Sequence, residues 1–101
     1  MKKKPEINKR VLAKINRLER QLLVNSCIYY LYNKNLIDDS HYDNWSFNLN
    51  EMIHENPDEF KKSEFYKDFT DFDPSSGYYL NYQQPKIKGV AYYLLKLHHQ
   101  L

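Results

Sequence analysis

Apolar positions recur at helical spacing along most of this 101-residue chain. Over residues 6–34, Val11, Ile15, Leu18 and Leu22 follow at steps of four, three and four, with Leu12, Leu23, Cys27 and Tyr30 as a flanking row. That period predicts one long helix. Pro5 suits its first turn, where a missing N–H needs no partner. Asn33-Lys34-Asn35 is a stop signal, because Asn tolerates the left-handed conformation at a helix end. A second stripe, Tyr42, Trp45, Leu49, Met52 and Ile53, predicts a helix over 39–55. The run Asp38-Asp39-Ser40 offers its cap and Pro57 its limit. Two such helices with a short connection form a helical hairpin.

Beyond Pro57 the period breaks. Phe60, Phe65, Tyr66, Phe69 and Phe72 fit a short helix or an irregular packed segment. Asp73-Pro74-Ser75-Ser76-Gly77 is a turn signal. Tyr78-Tyr79-Leu80-Asn81-Tyr82 has strand composition without a partner strand of similar quality, so it reads as an extended segment lying on the helices. Pro85 opens a last helix over 85–99, with Ile87, Val90, Ala91, Leu94 and Leu95 as its apolar face. Gly89 within it costs about 1 kcal/mol relative to Ala. The expected fold is mostly α and one domain, residues 1–101. It comprises a flexible basic tail (1–5), a helical hairpin (6–57), and an aromatic segment with the C-terminal helix (58–101).

Composition narrows the function classes. Sixteen aromatic residues, ten of them Tyr, are far more than a disordered chain carries. The single Cys27 excludes an intramolecular disulfide and fits a reducing compartment. No apolar run approaches the roughly 18 residues of a membrane span, and no apolar stretch follows Met1-Lys2-Lys3-Lys4 as in a signal peptide. The expected location is therefore the cytoplasm, with no membrane partner.

The net charge of +2 conceals segregation. Residues 1–20 hold eight bases against Glu6 and Glu19; residues 38–73 hold eleven acids against three lysines. A basic start, including Lys9, Arg10 and Arg17, can meet phosphates or an acidic partner, and weak nucleic-acid contact through residues 2–20 is one expectation. A solvated helix face is the plainer alternative.

Catalytic chemistry is poorly represented. His98 and His99 are adjacent and point apart on a helix, while His41 and His54 lack a ligand partner at i+3 or i+4, so no metal site is expected. Cys27 sits on an apolar helix face and reads as core. Gly77 and Gly89 stand alone, so no phosphate loop is present. Neither catalytic residues nor a cofactor is expected.

The cluster that stands out is Tyr29-Tyr30 followed by Ile37-Asp38-Asp39-Ser40-His41-Tyr42-Asp43. A hairpin brings the end of its first helix beside the start of its second, so tyrosine rings would face Asp39 and Asp43. Aromatic faces stack on a flat heterocycle and attract a cationic ring. Carboxylates accept hydrogen bonds from ribose hydroxyls. Such a site suits a nicotinamide ribonucleotide; the alternative is a hairpin core packed with Tyr and Trp, with Asp39 as a cap.

From Leu22 to about Pro57 the chain resembles the small N-terminal helical domain of bacterial NAD-dependent DNA ligases. The resemblance rests on Tyr29-Tyr30, the Ile-x-Asp-x-x-Tyr-Asp run at 37–43, Leu49, Met52 and Pro57. It implies a hairpin that binds the nicotinamide mononucleotide half of NAD, with Tyr29, Tyr30, Asp39, Tyr42 and Asp43 at the ligand contacts. Cys27 and Trp45 depart from the family pattern, and the Lys-x-Asp-Gly motif of the adenylation domain occurs nowhere, so ligation by this chain alone is excluded. The stretch 69–78 extends the likeness to short stand-alone ligase-related proteins of bacteriophages and mobile elements.

The resemblance implies a phage-type protein acting in a bacterial host. The first expectation is a non-catalytic counter-defence protein that inhibits a host protein such as a CRISPR nuclease. Its contacts would be Phe69, Tyr78 and Tyr82, with Lys9, Arg10 and Arg17. The second is a binder that sequesters NAD, nicotinamide mononucleotide or a nucleotide signal at the hairpin site. A third is an accessory that docks on a ligase or replication protein.

Overall fold

The computed structural model describes residues 6–75 and 80–101. Among them are five helices and no strand: α1 (Lys9–Tyr30), α2 (Asp39–Glu55), α3 (Pro57–Lys61), α4 (Tyr66–Phe69) and α5 (Pro85–Leu97). The mostly α architecture expected from the periodicity is present.

α1 starts three residues later than its apolar period suggests. Asn8 caps it, with Oδ1 accepting from the N–H groups of Arg10 (3.0 Å) and Val11 (3.2 Å). A capping side chain beats propensity here because the first amides of a helix otherwise lack partners. The role suggested for Pro5 lies outside the described residues. The helix ends at Tyr30 rather than residue 34. The Leu31 N–H donates to the Cys27 carbonyl, and Asn33 then takes φ 55°. The left-handed Asn is thus present, but in the turn that follows the helix.

α2 matches its expected bounds. Asp38 is the cap, its Oδ1 accepting from the His41 N–H at 2.9 Å. At the other end, the Asn56 side chain donates to the Met52 carbonyl at 2.9 Å, and Pro57 opens α3 at once. The pairing of α1 and α2 is antiparallel. Ser26 near the end of α1 meets Tyr42 near the start of α2. Asn8 before α1 donates its N–H to Glu59 of α3, just beyond the end of α2.

α1 is the central element and packs against both α2 and α5. This explains why Leu22, Leu23 and Val24 are all buried. Three successive helical residues sweep about 200° of the cylinder, more than one neighbour can cover. α2 contributes Leu49 and Ile53 to the core, and α5 contributes Ile87, Ala91 and Leu95. Cys27 is buried, and burial pushes its thiol pKa up, as a core cysteine requires.

The aromatic segment resolves into α3, a turn and α4. Phe65, Phe69 and Leu80 anchor it in the core, and the Phe69 ring meets Phe72 edge-on at 5.2 Å. α5 stops two residues before the expected position 99. His98 caps it, His99 takes φ 57°, and the Gln100 N–H donates back to the Leu95 carbonyl at 2.8 Å. This is the closing turn that normally uses Gly or Asn.

Glu19 of α1 is fully buried, a position that helical periodicity did not single out. Its Oε2 lies 2.9 Å from Ser63 Oγ and its Oε1 accepts from the Phe65 N–H at 3.3 Å. Around it, Asn16 Oδ1 accepts from the Glu64 N–H at 2.8 Å. Glu64 also receives Arg20 at 2.9 Å and Lys86 of α5. The two cations hold the Glu64 carboxyl below its ordinary range. Residues 63–65 are thereby stitched to three polar positions of one helix face.

A candidate ligand pocket at the hairpin tip

The end of α1, the connection to α2 and the first turns of α2 enclose a cavity of about 240 Å³. Residues Tyr29, Tyr30, Asp39, Tyr42 and Asp43 all line it. Asn25, Ser26, the loop residues Leu36 and Ile37, and Pro74 and Ser75 also line it.

Each ring is held differently. Tyr42 is half-buried, and its hydroxyl lies 2.7 Å from the buried Ser26 Oγ. Losing that bond would strand a buried hydroxyl, so the Tyr42 ring is a fixed wall. Tyr30 stacks on Tyr82 with centroids 5.5 Å apart and planes at 25°. Tyr29 meets Tyr30 edge-on at 4.9 Å and is 49% exposed. A row of three rings therefore runs from Tyr82 through Tyr30 to Tyr29, with Tyr29 as its open member.

The carboxylates divide by role. Asp38 is committed to structure. Its Oδ1 accepts from the His41 N–H, from Ser40 Oγ at 2.9 Å, and meets the His41 ring at 2.7 Å. Those hydrogen bonds hold its pKa at about 2. Asp39 and Asp43 stand one helical turn apart, on the same side of α2 as the rings. Neither has a hydrogen bond or ion pair among the described residues. The alternative in which Asp39 serves as the cap does not hold, because Asp38 fills that role.

The expected partner-contact residues fare unevenly. Phe69 is completely buried and cannot offer its ring to another protein; α4 turns it inward as core. Tyr82 is half-buried because it backs Tyr30. Tyr78 lies outside the described residues. Lys9, Arg10 and Arg17 lie on α1, and all three are exposed. Sequence reasoning missed the exposed Tyr92, Tyr93 and Leu97 of α5. The signal was present: these three fall outside the Ile87, Ala91, Leu95 stripe and have no packing assignment.

No described helix is long and apolar enough to cross a membrane. Among the described residues no group of three or more His, Cys, Asp or Glu is arranged to hold a metal. The molecule is thus a helical protein carrying an aromatic, carboxylate-lined cavity at the tip of a hairpin. Compared with protein-family models, curated proteins and solved structures, the chain matches none.

Proposed function

We propose that this protein is a non-catalytic binder of a nicotinamide-type nucleoside or nucleotide, acting by sequestration in the cytoplasm of a bacterial host. The observation that supports it is convergence: the five residues marked by the ligase resemblance line one cavity. A flat ring stacks on the exposed Tyr29 face against the fixed wall of Tyr42. Asp39 and Asp43 accept hydrogen bonds from ribose hydroxyls. The cavity is somewhat smaller than the roughly 300–1,000 Å³ of ordinary ligand pockets. It fits a ring with its sugar and leaves the rest of a dinucleotide outside, so modest affinity is expected.

Titration calorimetry with nicotinamide mononucleotide, NAD and a cyclic ADP-ribose-type nucleotide tests the proposal. Saturable heat that disappears in Tyr42→Ala and is weakened in Asp43→Asn is the expected result. The second variant guards against unfolding, because Asp43 is exposed. Absence of heat with all three and with nicotinamide riboside refutes it.

A second reading, inhibition of a host defence protein, is favoured by the exposed Tyr92, Tyr93 and Leu97 on α5, since tyrosines are frequent interface anchors. Its test is cleavage by a purified CRISPR nuclease with and without the protein. Inhibition lost in Tyr93→Ser supports the reading, and undisturbed cleavage counts against it.

A further inference from the structure

We infer that the hairpin pocket selects its ligand by charge, taking an oxidised, positively charged pyridinium riboside and discriminating against both the neutral reduced ring and an added phosphate. The inference rests on the proposal that the site binds a nicotinamide compound, and it specifies which forms.

Two observations carry it. The first is the unmatched negative charge. Asp39 and Asp43 line the cavity, have no cation or hydrogen-bond donor among the described residues, and lie beside the Tyr29 and Tyr42 rings. A carboxylate pair and ring faces act on a cation in the same direction. A dihydropyridine ring has the same size and nearly the same shape but no charge, so it forfeits both terms. The second is what the lining omits. No Lys, Arg or His lines the cavity among the described residues. The nearest histidine in sequence, His41, is exposed and engaged with Asp38.

A phosphate held in this cavity would therefore meet the carboxylates of Asp38, Asp39 and Asp43 and no Lys, Arg or His among the described lining residues. Phosphate sites are normally built from Arg, Lys or a helix N-terminus. The N-terminus of α2 is the one such element at the cavity among the described residues. It is already served: Asp38 Oδ1 accepts from the His41 N–H, and Asp39 sits in the first turn. The phosphate of a mononucleotide is thus left to solvent or repelled.

The experiment titrates the intact protein with three compounds at low salt: nicotinamide riboside, its 1,4-dihydro form and nicotinamide mononucleotide. The riboside is expected to bind at least tenfold more tightly than the dihydro form and no more weakly than the mononucleotide. Asp43→Asn should reduce the ratio between riboside and dihydro form while leaving the far-ultraviolet circular dichroism unchanged. Equal affinity for the oxidised and reduced ribosides overturns the inference while leaving nicotinamide binding intact. So does a mononucleotide that binds tenfold more tightly than the riboside. Failure of all three to bind refutes the underlying proposal and the inference with it.

Discussion

Replacing Glu19 by Gln should stabilise the protein at neutral pH and above. The buried Glu19 carboxyl has no cation bonded to it among the described residues; burial raises its pKa to about 7 against the ordinary 4.5, and Asp68 and Glu64 add to the rise. The hydrogen bonds from Ser63 and Phe65 oppose the shift without cancelling it. Because the native pKa is raised, the folded state holds a proton that the unfolded chain has released between pH 4.5 and 7. Stability is therefore undiminished below pH 4.5, falls as pH rises through that window, and stays at its reduced value above it. A separation from 4.5 to about 7, at about 1.36 kcal/mol per unit, makes the ionised carboxylate cost about 3 kcal/mol.

The local geometry explains why the neutral form fits. Ser63 Oγ has one hydrogen and two acceptors in reach, Glu19 Oε2 at 2.9 Å and the Phe60 carbonyl at 2.7 Å. A protonated Glu19 donates to Ser63, which then donates to Phe60, while Oε1 accepts from Phe65. The amide introduced by Glu19→Gln reproduces that pattern, with its nitrogen as the donor. Urea unfolding at pH 4 and pH 8 reads the effect. The two proteins should have nearly equal midpoints at pH 4. At pH 8 the variant should unfold at a midpoint higher by roughly 1–3 M. A variant that is less stable at pH 8, or a difference that does not change with pH, would refute the reasoning.

Other outcomes follow from the same packing. Gly89→Ala should raise stability by about 0.5–1 kcal/mol, seen as a higher melting temperature. Gly89 sits inside α5 with no atom within 4 Å of the added methyl and does not use a positive φ. Tyr42→Phe should cost about 1–3 kcal/mol in denaturant unfolding, because it leaves the buried Ser26 hydroxyl unpaired; Ser26→Ala combined with it should recover part of the loss. Phe69→Ala should cost about 3–5 kcal/mol, whereas Tyr93→Ser, at a site 63% exposed, should change the unfolding midpoint little.

The helices are legible in the sequence because their signals are local. The Val11 to Leu22 period and the Asp38 cap depend on residues within a few positions of each other. The true start of α1 requires weighing Asn8 as a cap against continued periodicity, and the cap wins. The tip of the hairpin is legible for the same reason: a short connection forces the end of α1 against the start of α2, so Tyr29, Tyr30, Asp39, Tyr42 and Asp43 have to be neighbours. The aromatic segment is not legible, because Phe65, Phe69 and Leu80 are placed by core contacts with residues far away in sequence. Phe69 reads as a surface contact on that account. Glu19 is invisible too. A glutamate in a basic helix reads as solvated, and only the return of Ser63 and Phe65 across more than forty residues buries it.

Glu19 and Ser26 lie seven residues apart, about two turns along α1, on one side of the helix. Each is a buried polar group with one distant partner segment: Ser63 and Phe65 for the former, Tyr42 for the latter. An apolar contact tolerates sliding by a fraction of a turn, whereas a buried hydrogen bond made at the wrong register leaves both partners unpaired. The Ser26 bond thus sets the height at which α2 docks, and with it the distance from Asp39 and Asp43 to the tyrosine row. Tyr82, stacked on Tyr30, fixes that row from the opposite side. Tyr82→Ala should therefore weaken ligand binding without touching the ligand. It would remove the ring stacked behind Tyr30 while the Ser26–Tyr42 bond keeps α2 in place. The informative readout is a fall in affinity with an unchanged preference for the oxidised over the reduced riboside, since the carboxylates that create the preference are unaltered. A Tyr82→Ala protein that binds as tightly as the parent would show that the row needs no support from behind.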